Sequence, residues 1–142
     1  MCDSEVFALA YNRDASLIAV ADQNGSLQIV SPLLGEKLNR IKDEQMVFPI
    51  TQLAWKPVSP MGDVFADPQS LIGSCCDGSI IRWTSLKTDQ VDHIKLNADS
   101  EYRSCSYSYS GRRFAVAGTG RVVEVYDDLT LKNIAVFSKE ST

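Results

Sequence analysis

Apolar positions along this chain come in short bursts and never settle into a helical stripe. Segments of roughly four to seven residues rich in Val, Ile, Leu, Tyr and Trp alternate with clusters of Asp, Asn, Gly and Ser, the pattern of short strands joined by tight turns. No 3.6-residue period persists over ten residues. The pattern predicts strands beginning near Val6, Leu17 and Leu27, near Ile50, Leu71 and Ile80, and near Tyr102, Phe114 and Val122. A fourth strand in each set is placed at Lys37–Lys42, Gln90–Leu96 and Asn133–Phe137. Between second and third strands stand Asp22-Gln23-Asn24-Gly25, Cys76-Asp77-Gly78 and Gly118-Thr119-Gly120. Asn-Gly and Asp-Gly there predict hairpin turns with positive φ at both central positions.

These sets are copies of one another. Leu9-Ala10-Tyr11, Leu53-Ala54-Trp55 and Cys105-Ser106-Tyr107 occupy one equivalent position. The second strands, Leu17 to Val20, Leu71 to Ser74 and Phe114 to Ala117, occupy the next, and Leu27 to Val30, Ile80 to Trp83 and Val122 to Tyr126 a third. Val6 to Ile50 spans 44 residues and Leu71 to Phe114 spans 43. A period of about 40–45 residues is that of a four-stranded propeller blade. The middle strands are apolar on both faces, as expected of sheets stacked against neighbours.

The run Asp77-Gly78-Ser79-Ile80-Ile81-Arg82-Trp83-Thr84 resembles the signature of WD repeats, in which an Asp-Gly turn leads into an alternating strand ending in Trp-Asp. Tyr126-Asp127 is similar to that terminal pair, and Val30-Ser31 is a more eroded version. Ala54-Trp55-Lys56-Pro57 and Ser106 to Gly111 are similar to the family's segment after the first strand. The resemblance covers roughly residues 5 to 138 and implies an all-β chain, a partial β-propeller of about three four-stranded antiparallel blades. Blade 1 is expected over about 5–42, blade 2 over about 49–96 with an insertion at 58–70, and blade 3 over about 101–138. The Gly-His pair that often precedes the first strand is absent, so blade rigidity is expected to rest mainly on apolar packing.

Propellers close with roughly four to eight blades. Three leave an open arc whose end sheets expose apolar faces larger than a monomer usually shows. The chain is therefore expected to be part of a larger propeller, or to complete one with other protein subunits or in a homodimer. The resemblance implies a non-catalytic protein–protein interaction scaffold, a subunit or fragment of a larger assembly. The alternative is a nucleic-acid-binding or enzymatic propeller using a polar face.

Charge and chemistry add little to this. The 142 residues carry 14 basic and 18 acidic side chains, a net charge of −4, which disfavours nucleic acid as a partner. No apolar run approaches the roughly 18–20 residues of a membrane helix, and Met1 to Asp14 has no secretory pattern. A cytoplasmic location follows, with nuclear or ciliary and cytoskeletal complexes as alternatives. Cys2, Cys75, Cys76 and Cys105 form no Cys-x-x-Cys, and adjacent Cys75 and Cys76 point to opposite faces of a strand. No cofactor, metal or catalytic residue is assigned. His93 is the single histidine, and its neighbour Asp92 faces the other way, so adjacency gives no support for a dyad and an outward or edge-strand histidine is expected. The insertion holds the candidate partner-binding residues Val64, Phe65 and Asp67, with Phe65 as anchor or folded back onto its own blade. Tyr109, Arg112 and Arg113 are the other candidates: a tyrosine in a turn, and two arginines that with Arg103 and Arg121 tint the third blade basic.

Overall fold

The structure is a computed structural model and describes residues 5–13, 15–33, 35–41, 49–57, 70–83, 91–97 and 100–138. Twelve strands build three antiparallel sheets, and the described residues contain no helix. The first sheet holds β1 (Val6–Tyr11), β2 (Ile18–Asp22), β3 (Leu27–Ser31) and β4 (Glu36–Ile41) in that order. The second holds β5 (Ile50–Trp55), β6 (Leu71–Cys75), β7 (Ser79–Trp83) and β8 (Asp92–Lys95), and the third β9 (Tyr102–Tyr107), β10 (Arg113–Gly118), β11 (Val122–Asp127) and β12 (Asn133–Ser138). Each is a plain meander, as short loops between antiparallel strands require.

The turns between second and third strands differ from the sequence expectation. Among the two central residues only the glycine is left-handed, Gly25 at φ 83° and Gly78 at φ 80°. Asp22 explains why. Its amide donates to the Ser26 carbonyl, and its Oδ1 accepts from the amides of Asn24 (2.9 Å) and Ser26 (3.0 Å). The aspartate side chain thus holds the first turn residues, leaving one position for glycine. Asp77 Oδ1 accepts from the Ser79 amide in the same way. In the third sheet the position of Gly25 and Gly78 is taken by Arg121, left-handed at φ 60°.

The sheets stack through their faces, and the stack has a direction. Ala8, Ala10, Ala19, Ala21, Leu27 and Ile29 of the first sheet pack against Leu53, Trp55, Leu71, Ile81 and Trp83 of the second. Ala54, Ile72, Ile80 and Ile94 on the second sheet's other face pack against Tyr102, Cys105, Tyr107, Phe114 and Tyr126 of the third. A face of small and aliphatic residues thus receives an aromatic one at both junctions. Trp55 and Trp83 meet edge to face with centroids 6.1 Å apart, and Phe114 stacks on Tyr126 at 5.6 Å. Such pairs add about 0.5–1.5 kcal/mol beyond burial.

Contacts between sheets lie along first and second strands: β1 meets β5, and β5 and β6 meet β9. Side chains stitch these inner strands. Trp55 Nε1 donates to the Ala10 carbonyl (2.9 Å), Thr51 Oγ1 to the Tyr102 carbonyl (2.9 Å), and Ser104 Oγ to Gln52 Oε1 (2.6 Å). Phe7, Thr51 and Arg103, at equivalent positions in the three first strands, line a single cavity of about 370 Å³. The first strands therefore gather around one line, and the sheets do not close on themselves.

Candidate functional site

Two kinds of surface stand out: a polar cavity where the second and third sheets meet, and the uncovered faces at the ends of the stack.

The cavity, about 590 Å³, lies among Lys56, Arg82, Tyr107, Arg112 and Asp128. Asp128 is its organising group. It follows β11 in a turn, is buried, and is fixed by its amide to the Arg112 carbonyl (2.9 Å). Lys56 Nζ donates to its Oδ2 at 2.8 Å, while Arg82 Nη2 (2.9 Å) and the Tyr107 hydroxyl (3.1 Å) donate to Oδ1. Arg82 Nη2 also reaches the Asp128 carbonyl at 2.9 Å, yet its buried Nε finds no acceptor among the described residues. Burial pushes the Tyr107 phenol well above its ordinary value, and the Asp128 carboxylate adds to the shift. Neighbouring Asp127 turns to its own loop instead. The Thr130 amide, with the Leu129 amide and Arg113 charge, holds its carboxyl below the usual range.

The sequence candidates fare unevenly. Arg112 lines the cavity. Tyr109 is 81% exposed in the turn between β9 and β10. Arg113 pairs across the strands with Asp127 at the rim of the third sheet's open face. Val64, Phe65 and Asp67 lie outside the described residues. The four arginines do not converge. Arg112 and Arg113 flank the end of β9, whereas Arg103 and Arg121 belong to its start, where the Thr119 amide bonds the Glu101 carbonyl. A six-residue strand separates the two pairs by roughly 17–20 Å.

Lys56, Arg82 and Asp128 escape a reading of sequence, because 46 residues separate Arg82 from Asp128. The available signal was a charged residue inside the apolar run Ile80 to Trp83, since a half-buried arginine needs a partner. Glu124, within Val122 to Tyr126, sends the same signal. It is buried and accepts from the hydroxyls of Tyr102 (2.9 Å) and Tyr126 (3.1 Å) and from Asn97 Nδ2 (3.4 Å) of the preceding sheet. Burial, with Glu124 reinforcing it, pushes the Tyr102 phenol up.

His93 does meet a serine and an aspartate, through strand register instead of adjacency. Its Nε2 lies 2.6 Å from Ser79 Oγ and 3.4 Å from Asp77 Oδ2, and Ser79 Oγ also donates to Asp77. A hydrolytic triad uses the two ring nitrogens for different partners. Here one nitrogen faces both, and Ser79 is fully buried, so the cluster works as a turn clamp. Burial alone would raise the Asp77 carboxyl; the Ser79 hydroxyl, Lys95 and His93 outweigh it and hold it below its ordinary value. Two thiols are buried: desolvation lifts Cys75 to about 12 and Cys105 to about 11, far above the range of reactive cysteines. Among the described residues no group of His, Cys, Asp and Glu is arranged to hold a metal ion, and no helix is long and apolar enough to cross a membrane.

The end faces are apolar and open. On the first sheet Leu9 is 62% and Tyr11 54% exposed, with half-buried Ile18, Val20 and Val30 on the same face. On the third sheet Phe137 is 61% and Val123 40% exposed, beside Ala115, Ala117, Val125 and Ala135. No family model matches the chain, and no curated protein matches it significantly.

Proposed function

We propose that this chain is a non-catalytic protein-interaction scaffold, a WD-repeat-like segment of a β-propeller that works by docking protein against its uncovered sheet faces. The observation that carries the reading is the contrast between Tyr11 and its equivalents. Trp55 and Tyr107, each at the end of a first strand, are largely covered by the sheet before them, whereas Tyr11 is 54% exposed. The first sheet carries the surface of a sheet that packs behind a neighbour, with no such neighbour among the described residues. Gathering of Phe7, Thr51 and Arg103 around one cavity supports a propeller arrangement, in which first strands line the axis.

A partner's β-sheet is the expected occupant, since both internal junctions are sheet on sheet. The cavity at Asp128 offers a second, polar contact at the ends of the strands. For nucleic acid the described residues supply no continuous basic strip, the arginines of the third sheet being split between its two ends.

The test is anilinonaphthalene sulfonate fluorescence of the folded, dilute chain. Enhancement is expected, and Leu9→Glu and Val123→Glu should each reduce it without altering the far-ultraviolet circular dichroism. A folded monomer that gives no enhancement overturns the reading.

A further inference from the structure

We infer that the two open faces fit each other, so that the forward face of the third sheet in one copy seats the rear face of the first sheet in a second copy. The inference rests on the reading of these faces as docking surfaces and names their occupant.

The forward face of the third sheet repeats that of the first position by position. Where the first sheet presents Ala8, Ala10, Ala19, Ala21, Leu27 and Ile29, the third presents Ser104, Ser106, Ala115, Ala117, Val123 and Val125. Four small residues on the inner two strands and two aliphatics on the third strand recur in the same rows. In the first sheet this surface seats Leu53, Trp55, Leu71 and Trp83; in the third no described residue packs on it, although the Ser104 hydroxyl turns to Gln52 of the preceding sheet. The rear face of the first sheet carries Leu9, Tyr11, Ile18 and Val30 at the positions of those four residues. Socket and plug are thus on the same chain, at opposite ends of one stack, and the new junction would continue the two internal ones.

A polar detail points the same way. Arg113 and Asp127, paired at the edge of the socket, form a polar rim of the kind interfaces carry.

One kind of contact covers both faces. A second copy does this with surfaces already on the chain, whereas a different protein would have to supply both a matching plug and a matching socket. Because plug and socket differ, the contact is head to tail, giving a closed pair if the rotation closes and a longer array if it does not.

Sedimentation of the 142-residue chain over about three decades of concentration tests this. Wild type is expected to pass from 15.7 kDa to twice that mass or a higher multiple. Leu9→Glu spoils only the plug and Val123→Glu only the socket, so each variant alone should stay monomeric with an unchanged circular dichroism spectrum. Mixed, they should form a one-to-one complex through the one intact plug and the one intact socket. A face-to-face pairing of like surfaces would survive one of the two substitutions, and that result overturns the inference. Wild type remaining at 15.7 kDa throughout also overturns it. If that monomer still enhances the dye, docking on the faces stands and only the second copy is lost; without enhancement both fall.

Discussion

Asp128 offers the sharpest test of how the second and third sheets are locked. Replacing it with Ala removes the acceptor for Lys56, Arg82 and the Tyr107 hydroxyl together. The three losses are unequal. The Lys56 side chain is 40% exposed and turns to water, so its share is at most a few tenths of a kcal/mol. The Arg82 side chain is 18% exposed, with its Nε already unpartnered. It keeps only the carbonyl of residue 128. Stranding one partner of a buried pair costs about 3–5 kcal/mol, and this partly wetted pair belongs near the lower end. The Tyr107 hydroxyl adds about 1 kcal/mol. The expected loss is about 3–4 kcal/mol, a large part of the 5–15 kcal/mol that holds a typical domain. Urea unfolding followed through Trp55 and Trp83, the two tryptophans of the chain, should show the midpoint falling by about 1.5–2 M if the slope is about 2 kcal/mol/M. Asp128→Asn keeps an acceptor for Arg82 and should cost about half as much. A double-mutant cycle with Arg82→Ala isolates the pair, and a coupling above about 1 kcal/mol is expected. Additive losses, or an Asp128→Ala midpoint within error of wild type, would refute the account of Asp128 as the lock.

Three further outcomes follow from the turns. Gly78→Ala should lower the melting temperature by about 10 °C, since a Cβ there would lie 1.7 Å from the Asn97 carbonyl oxygen, at φ 80°, a strain of about 3 kcal/mol or more. Arg121→Gly should raise the melting temperature by about 2 °C in the same scan, because a left-handed non-glycine costs about 1 kcal/mol. Asp77 has its carboxyl pKa lowered below 3.8 in the fold, so it contributes stability above that pH that is lost as pH falls through the folded value. Asp77→Asn should flatten the acid limb of a stability–pH curve below about pH 4, and parallel limbs would refute the clamp.

Strand positions were legible because turn residues and β-branched runs alternate without competing signals, and all twelve strands fall within a few residues of the sequence expectation. Turn geometry was legible only in part. A dipeptide such as Asn24-Gly25 says that glycine is wanted, but the bonds from Asp22 decide which residue takes the left-handed conformation. The cavity was hidden because its charges come from different sheets. Arg112 was reached by the wrong argument, as one of a basic group that register divides between two strand ends. Equivalence of Tyr11 with Trp55 and Tyr107 in the repeat does not carry over to burial, because core depends on the neighbouring sheet as well as the residue: Trp55 and Tyr107 are packed and Tyr11 is exposed.

That last point turns the small-and-large alternation of Leu9-Ala10-Tyr11 and its copies into a statement about assembly. Successive strand residues face opposite sides, so each sheet presents its small residues forward and its large ones to the rear. Any sheet of this kind fits behind another, and nothing within it limits the number. Three sheets therefore leave one unmatched surface of each type. A closed pair would form two junctions for one loss of translational and rotational freedom, whereas the mixed Leu9→Glu and Val123→Glu complex forms only one. The second junction acts at an effective concentration of order millimolar, a gain of about 10²–10⁴ in avidity. A mixed complex as tight as the wild-type assembly would mean that the ring does not close and that the chains extend end to end.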